Sequence, residues 1–204
     1  MITITILTIC FLIALSCKIK KVKVPELRVL TWYIHLIFLV LSAICLLLMA
    51  NDMGFKGTQT ERIIFTLYAG SGMILYGFSK PDTDARYAYL LSFFGFPFLL
   101  LFGILLPPLR TLTLVITLTL LSDSRFHRYK IDDDYALQTK TSGILAPQPT
   151  YSLITDKYWF FEKISSGVIP PTATGNIRLQ KINTDSVRIS VGGKNYELRI
   201  ANYE

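Results

Sequence analysis

Long apolar stretches that are almost free of charge fill residues 1–122 of this 204-residue chain. A helix needs about 20 such residues to cross the hydrocarbon core of a bilayer. Residues 29–50 and 87–106 reach this length. Residues 1–17 and 63–78 are shorter, so they can span only where the bilayer thins or flanking side chains reach outward. The sequence therefore predicts an α-helical transmembrane bundle.

The fifth apolar stretch, residues 109–121, fits two different structures. Its threonines recur at even spacings, which suits a strand as well as a helix. We favour a span because Pro107 and Pro108 would end the preceding helix, and because so apolar a strand would need burial on both faces. The bundle is thus predicted to have four to five spans, and this segment decides the number.

Glycines in two of the stretches predict a helix contact. Gly70 and Gly77 lie in the third stretch, and Gly95 and Gly103 lie in the fourth. Because small residues let helix backbones approach closely, we expect the third helix to pack on the fourth.

A strongly basic connection, residues 18–28, predicts the orientation. Its bases are Lys18, Lys20, Lys21, Lys23 and Arg28. Short loops rich in Lys and Arg stay in the cytoplasm, so the N-terminus is expected outside. Five spans would leave residues 123–204 in the cytoplasm, whereas four would export them. The arrangement is typical of a bacterial inner-membrane protein, and we favour the cytoplasmic placement.

Residues 123–204 predict a small soluble β domain. Val187, Ile189 and Val191 alternate with polar residues, and a second alternating run follows the glycines. A two-residue turn at Gly193 and Lys194 would pair Val191 with Tyr196. Six or so short strands in this segment fit a small antiparallel sheet or barrel. The aromatic run at residues 158–161 is expected to supply its core.

His35 is the only ionisable residue well inside a predicted span. A titratable group at membrane depth is by default a candidate functional site. Trp32 and Tyr33 precede it, however, and these residue types favour the membrane interface. We therefore interpret His35 as interfacial and retain it as the one intramembrane polar candidate.

The β domain contributes the remaining candidate ligand residues. Bases directly after the last apolar stretch could hold anionic lipid headgroups. A cytoplasmic domain that senses a small molecule would instead need a concave pocket lined by tyrosine and arginine. The candidates for these two roles are Arg125, Arg128, Lys130, Tyr129, Tyr151 and Arg178.

Several kinds of chemistry lack the residues that they need. The two histidines, His35 and His127, are far apart in sequence, and the three cysteines sit in or beside apolar stretches. We therefore predict no metal site, no cofactor and no catalytic residues. The acidic run Asp132, Asp133 and Asp134 is interpreted as a solvated turn, and aromatic residues near bases do not indicate nucleic-acid binding. The sequence resembles no family that its motifs would identify.

Three functions remain open at this stage. The favoured one is a non-enzymatic membrane protein whose β domain binds another membrane or cytoplasmic protein, or a second copy of itself, as an accessory, scaffold or immunity-type partner. The second is a membrane effector or sensor whose cytoplasmic β domain binds a small ligand and controls the helices. The third is a small transporter or membrane enzyme, which the nearly uncharged spans disfavour.

Overall fold

The structure is a computed structural model that describes residues 2–22, 24–79, 84–121, 125–142, 146–156, 159–170, 172–173, 175–183 and 186–199. These residues form five helices and eight strands. The chain divides into two compact units. The first comprises Met1–Leu47 and Gln59–Leu121, and the second comprises Leu48–Thr58 and Ser122–Glu204.

The five helices are α1 (Ile2–Ile19), α2 (Pro25–Ala50), α3 (Thr60–Phe78), α4 (Asp84–Leu105) and α5 (Pro107–Leu121). Among the described helices only two, α2 and Arg86–Leu105 within α4, are long and apolar enough to cross a membrane by length and composition. The described helices therefore include two candidate spans rather than the predicted four to five. The stretch at residues 109–121 is helical, as favoured, and α1 is apolar but short.

The helices of the first unit alternate in direction. Thr3 accepts a hydrogen bond from Arg62, and Ala14 of α1 lies against Gly77 of α3, so α1 and α3 run parallel. The hydroxyls of Tyr76 of α3 and Tyr87 of α4 form a hydrogen bond of 3.0 Å, and these two helices are antiparallel. Alternation is the arrangement expected of helices joined by short connections.

The third helix packs on the fourth as predicted, but Gly70 and Gly77 contact a different helix. A Cβ at Gly70 would lie 2.8 Å from Cys10 Sγ, and one at Gly77 would lie 2.7 Å from the Ala14 carbonyl oxygen. These two glycines therefore pack α3 on α1 rather than on α4. Gly103 packs against Thr113 of α5, and Gly95 has no neighbour within 4 Å.

The second unit contains two antiparallel sheets. Their strands are β1 (Met53–Phe55), β2 (Arg125–Lys130), β3 (Tyr135–Ser142), β4 (Ala146–Asp156), β5 (Phe161–Ser166), β6 (Ile177–Asn183), β7 (Ser186–Val191) and β8 (Lys194–Arg199). The strand orders are β1-β5-β4-β3-β2 and β6-β7-β8. The predicted antiparallel sheet is confirmed, but the described strands form two open sheets and do not close into a barrel.

The core of this unit combines residues from both sheets. Leu137, Tyr151 and Leu153 come from the larger sheet, and Val187 and Ile189 come from the smaller one. All five side chains are buried. The alternation of apolar and polar residues along β7 places its apolar residues in this core.

The first strand comes from an unexpected part of the chain. β1 lies in the connection between α2 and α3 and pairs with β5, with Met53 opposite Lys163 and Phe55 opposite Phe161. Two backbone hydrogen bonds extend the pairing: Ile164 N–H donates to the Asp52 carbonyl at 2.8 Å, and Lys56 N–H donates to the Phe160 carbonyl at 2.9 Å. The sequence predicted only a loop here. This connection is therefore part of the β unit.

The terminal hairpin has a different register from the predicted one. Val191 pairs with Lys194 and Ile189 pairs with Tyr196, so the turn residues are Gly192 and Gly193. Both glycines have positive φ, at 55° and 86°. A two-residue hairpin turn of this kind needs positive φ at both central positions, which two glycines adopt more easily than glycine and lysine.

The aromatic run that was expected in the core is partly exposed. Trp159 is 89% exposed and Phe160 is 65% exposed, and both precede β5. Tyr158 lies outside the described residues. Only Phe161, within β5, is intermediate in burial. The strand begins only at Phe161, so most of the run is left in the connection.

Candidate functional site

A large cavity lies where four chain segments of the helical unit meet. It has a volume of about 870 Å³ and is lined by the end of α1, the residues that follow it, the first turns of α2, and the residues at the end of α3 and near the start of α4. This volume is in the range of ligand sites in proteins. The residues that line the cavity all belong to the first unit.

The polar lining of the cavity is strongly basic. Its charged residues are Lys18, Lys21, Arg28 and Arg86, and none of the described lining residues is acidic. Four positive charges around one cavity attract anions and repel cations. Val22, Val24, Val29, Trp32 and Phe78 supply an apolar part of the same lining. The cavity is therefore suited to a molecule with an anionic group and an apolar body.

Lys21 is held by the way in which α1 ends. Val22 N–H donates to the Cys17 carbonyl at 3.1 Å, and Lys21 N–H donates to the Lys18 carbonyl at 3.3 Å. This pair of bonds is the Schellman motif, which places one residue in the left-handed region, usually a glycine. Lys21 occupies that position with φ 49°. A lysine therefore lines the cavity at a backbone position where glycine is the unstrained choice.

Two of the basic side chains are positioned by aromatic rings. Lys18 Nζ donates to the Ser79 carbonyl at 3.0 Å and lies 4.6 Å from the ring centroid of Tyr76. The Arg86 guanidinium lies over the Trp32 ring at 4.2 Å. The buried Arg86 Nε makes no hydrogen bond with the described residues. Lys18 is thus bound within the fold, whereas Arg86 keeps a donor for which the described structure supplies no acceptor.

His35 belongs to a polar cluster that lies further along α2 than the residues that line this cavity. Its ring is completely buried, with Nδ1 3.0 Å from Ser71 Oγ and Nε2 2.7 Å from the Tyr89 hydroxyl. The Tyr68 ring stacks on it at 5.0 Å. Neighbouring helices cover the side chain, and its interfacial depth in a membrane stays a prediction.

The neighbours of His35 fit a neutral ring. Ser71 Oγ donates its proton to the Tyr68 carbonyl at 2.9 Å, so it accepts from His35 Nδ1. A neutral imidazole that donates at Nδ1 accepts at Nε2, here from the Tyr89 hydroxyl. Tyr89 in turn accepts from Tyr68, whose hydroxyl is 2.8 Å away. The network satisfies a neutral His35 completely, so the cluster joins α2 to α3 and α4.

The ligand residues predicted in the β domain do not form one pocket. Tyr129 and Tyr151 face the hydrophobic core, and the Tyr151 hydroxyl donates to the Ala173 carbonyl at 2.5 Å. Burial raises the pKa of Tyr151. Arg178 is exposed on the other sheet. The two tyrosines are thus part of the core, whereas Arg178 lies on an exposed surface.

The predicted basic residues of the β domain have local partners. Arg128 donates to Gln138 Oε1 at 2.8 Å and pairs with the buried Glu162 at 2.5 Å. Lys130 pairs with Asp133 at 2.6 Å, and this hydrogen bond raises the pKa of Lys130. The backbone of Arg125 belongs to β2, and its side chain lies outside the described part of the structure. Arg128 thus neutralises a buried carboxylate.

The sequence named most of the cavity bases but assigned them only to topology. Arg86 was not singled out at all. The sequence did contain a signal for this cluster. Basic residues occur in the connections before α2 and before α4, and these two connections lie at the same end of helices that alternate in direction. Among the described residues, no group of three or more His, Cys, Asp or Glu could hold a metal ion.

Comparisons with protein-family models, with curated proteins and with solved structures find no match to this chain.

Proposed function

We propose that this chain is a non-enzymatic, multi-pass membrane protein that holds a β-sheet domain at the outer face of a membrane as a docking module for another protein. The observation that carries this proposal is the pairing of β1 with β5, which joins the connection between two apolar helices to the β domain.

The surface of the apolar helices supports the membrane location. Only 17% of the apolar stretch of α2 and 11% of that of α4 is buried within the protein. Leu46, Leu47, Leu99 and Phe102, for example, are each 59% or more exposed. Soluble proteins rarely expose contiguous apolar areas of this extent, whereas lipid covers them at no cost.

The strand pairing limits the number of crossings. β1 and β5 lie on one side of the membrane if they pair, so the chain between Phe55 and Arg125 crosses an even number of times. Three helices occupy that interval. α5 has 15 residues, or about 22 Å at 1.5 Å per residue, which is short of the ~30 Å core. α3 and α4 are therefore the two helices of this interval that we propose to cross.

This topology differs from the one that the sequence favoured. Four crossings by α1, α2, α3 and α4 agree with their alternating directions. The basic connection between α1 and α2 is cytoplasmic by the positive-inside rule, so the β domain is exported. We therefore propose four spans with an exported β domain in place of five spans with a cytoplasmic one.

The docking role rests on the open sheets. β2, β6 and β8 each form an edge in the described strand orders. An edge strand presents unpaired backbone groups to which a partner strand can add. The alternative of a small-ligand sensor lacks comparable support, because a filled core occupies the interior of the domain.

The docking proposal is tested with a photo-crosslinking residue placed in intact cells at Glu197, on the edge strand β8. The matched control is Arg188, the cross-strand neighbour of Glu197 on the central strand β7. Both side chains are exposed. We expect an adduct of one discrete mass from position 197 and none from position 188. A protein that stays uncrosslinked at both positions and monomeric after purification would overturn the docking role.

A further inference from the structure

We propose that the basic cavity of the helical unit binds the phosphate headgroup of an anionic glycerophospholipid from the cytoplasmic leaflet. This inference rests on the proposed membrane topology, which places the cavity at the cytoplasmic ends of α1 and α3. It adds a lipid-binding site to the proposed docking function.

The charge of the lining selects an anion. Lys21, Arg28 and Arg86 line the cavity together with Lys18, and no described lining residue carries a compensating negative charge. The Nε of Arg86 is buried and makes no hydrogen bond with the described residues. Arginine donors match phosphate oxygens in geometry, and the bond is strong because both groups are charged. A phosphate group would therefore supply the missing acceptor.

The remaining lining selects an amphiphile over a free anion. Val22, Val24 and Val29 give the cavity an apolar wall, and the volume of about 870 Å³ exceeds what a lone phosphate ion needs. Basic pockets between helices on the cytoplasmic side of membranes suit phospholipid headgroups for these reasons. The apolar wall would contact the glycerol and the first methylene groups of the lipid.

The backbone at Lys21 provides an independent indication. A non-glycine residue in the left-handed region costs stability, and such strain is concentrated at functional positions. Glycine would end α1 with less strain than Lys21, whose φ is 49°. The lysine side chain compensates for this cost if it binds the ligand. Lys21→Gly should therefore weaken lipid binding without weakening the fold.

Trp32 provides a direct readout, because it lines the cavity and the chain has only one other tryptophan, Trp159. In the full chain carrying Trp159→Phe, purified in a neutral detergent, Trp32 fluorescence is titrated with phosphatidylglycerol. Phosphatidylcholine with the same acyl chains tests the charge requirement, and inorganic phosphate tests whether a free anion suffices. We expect a saturable change in Trp32 fluorescence with phosphatidylglycerol alone.

Two variants separate the site from general surface charge. Lys21→Gly should weaken phosphatidylglycerol binding roughly five-fold, which corresponds to the loss of one basic group near an anionic lipid. Lys20→Gln removes the same charge one residue away, outside the lining, and should change binding less than two-fold. The thermal stability of Lys21→Gly should equal or exceed that of the parent protein.

The outcomes that overturn the inference are equal binding of both lipids, saturation by inorganic phosphate alone, or equal effects of the two variants. Extraction of native membranes with alkaline carbonate separates this failure from a failure of the proposed function. A chain that resists extraction but shows no preference for phosphatidylglycerol loses only the lipid site. A chain that is released loses the membrane topology as well.

Discussion

His35 is the residue on which the attachment of α2 depends most. Its ring donates to Ser71 of α3 and accepts from Tyr89 of α4, and it is completely buried. Pro25 begins α2 ten residues earlier, so His35 lies about 15 Å along the helix at 1.5 Å per residue. Polar groups at such depth are costly unless they are paired, so the network has to remain intact.

We predict that His35→Ala destabilises the helical unit by about 2–4 kcal/mol, because it opens a cavity and leaves Ser71 and Tyr89 without their partner. Thermal unfolding in detergent measures the effect. Ile37→Ala on the same helix is the control, since Ile37 is 57% exposed and its loss should cost much less. Equal unfolding temperatures for the two variants would mean that His35 does not hold α2.

Tyr151 should make the stability of the β unit depend on alkaline pH. Burial raises the pKa of its hydroxyl above the value of about 10 expected in the unfolded chain. A raised folded-state pKa gives stability that is fully present below the unfolded pKa and is lost as pH rises through the folded pKa. We therefore expect the free energy of unfolding to fall above about pH 10.

Tyr151→Phe tests this linkage. It should reduce the alkaline loss of stability and cost about 1–3 kcal/mol at neutral pH, because the buried Ala173 carbonyl loses its donor. Chemical unfolding of the full chain at neutral and alkaline pH gives both values. Tyr33→Phe is the control, since Tyr33 is 61% exposed. An alkaline loss that is the same in all three proteins would exclude Tyr151 as its source.

At the residue scale the sequence identified the correct unusual side chains but not their surroundings. His35 stands out because no other ionisable residue lies so far inside an apolar stretch. Its partners Ser71 and Tyr89 are 36 and 54 residues away in the chain, so only the packing of three helices brings them together. The exposed position of Trp159 was likewise not predictable, because an aromatic run fits a core as well as a loop.

At the scale of single elements, the contact between α1 and α3 depends on glycine. A Cβ at Gly77 would lie 2.7 Å from the Ala14 carbonyl oxygen and 2.8 Å from Ala14 Cα. These are backbone atoms, which cannot move aside as a flexible side chain can. The two helices must therefore separate if any side chain is introduced at this position.

We predict that Gly77→Ala destabilises the helical unit by about 1–3 kcal/mol through overpacking. Gly95→Ala is the matched control, because a Cβ at Gly95 meets nothing within 4 Å. Alanine favours helix over glycine by up to about 1 kcal/mol, so the control should be neutral or more stable. Thermal unfolding in detergent compares them, and a larger loss for Gly95→Ala would contradict the packing described above.

Element types followed from the sequence more readily than element contacts. The apolar stretches became helices, and the alternating segments became strands, because each pattern reflects local backbone geometry. The hairpin register differed by two residues, since Gly192 and Gly193 both suit a tight turn. α3 packs on α4 as predicted, but Gly70 and Gly77 contact α1, because glycine spacing shows that a helix can pack closely but not against which neighbour.

At the scale of the whole molecule, the number of crossings could not be obtained from hydropathy. β1 has only the three residues Met, Gly and Phe, which carry no alternating pattern long enough to predict a strand. Under the proposed membrane topology, its pairing with β5 requires the two segments to lie on the same side of the membrane.

The pairing itself can be tested by a disulfide between Met53→Cys and Lys163→Cys, which are cross-strand partners in β1 and β5. The control pairs Met53→Cys with Arg178→Cys, which lies on the other sheet. In a background without Cys10, Cys17 and Cys45, we expect efficient oxidation of the first pair only. Equal oxidation of both pairs, or of neither, would mean that β1 does not add to the sheet.

The most direct test of the topology uses single cysteines at Lys56, Lys194 and Lys20 in the same cysteine-free background, labelled in intact cells with a membrane-impermeant maleimide. We predict that the cysteines at positions 56 and 194 are labelled together and that the one at position 20 is labelled only after permeabilisation. Shared labelling of positions 20 and 194, with position 56 on the opposite side, would establish an odd number of crossings after β1 and would contradict its pairing with β5.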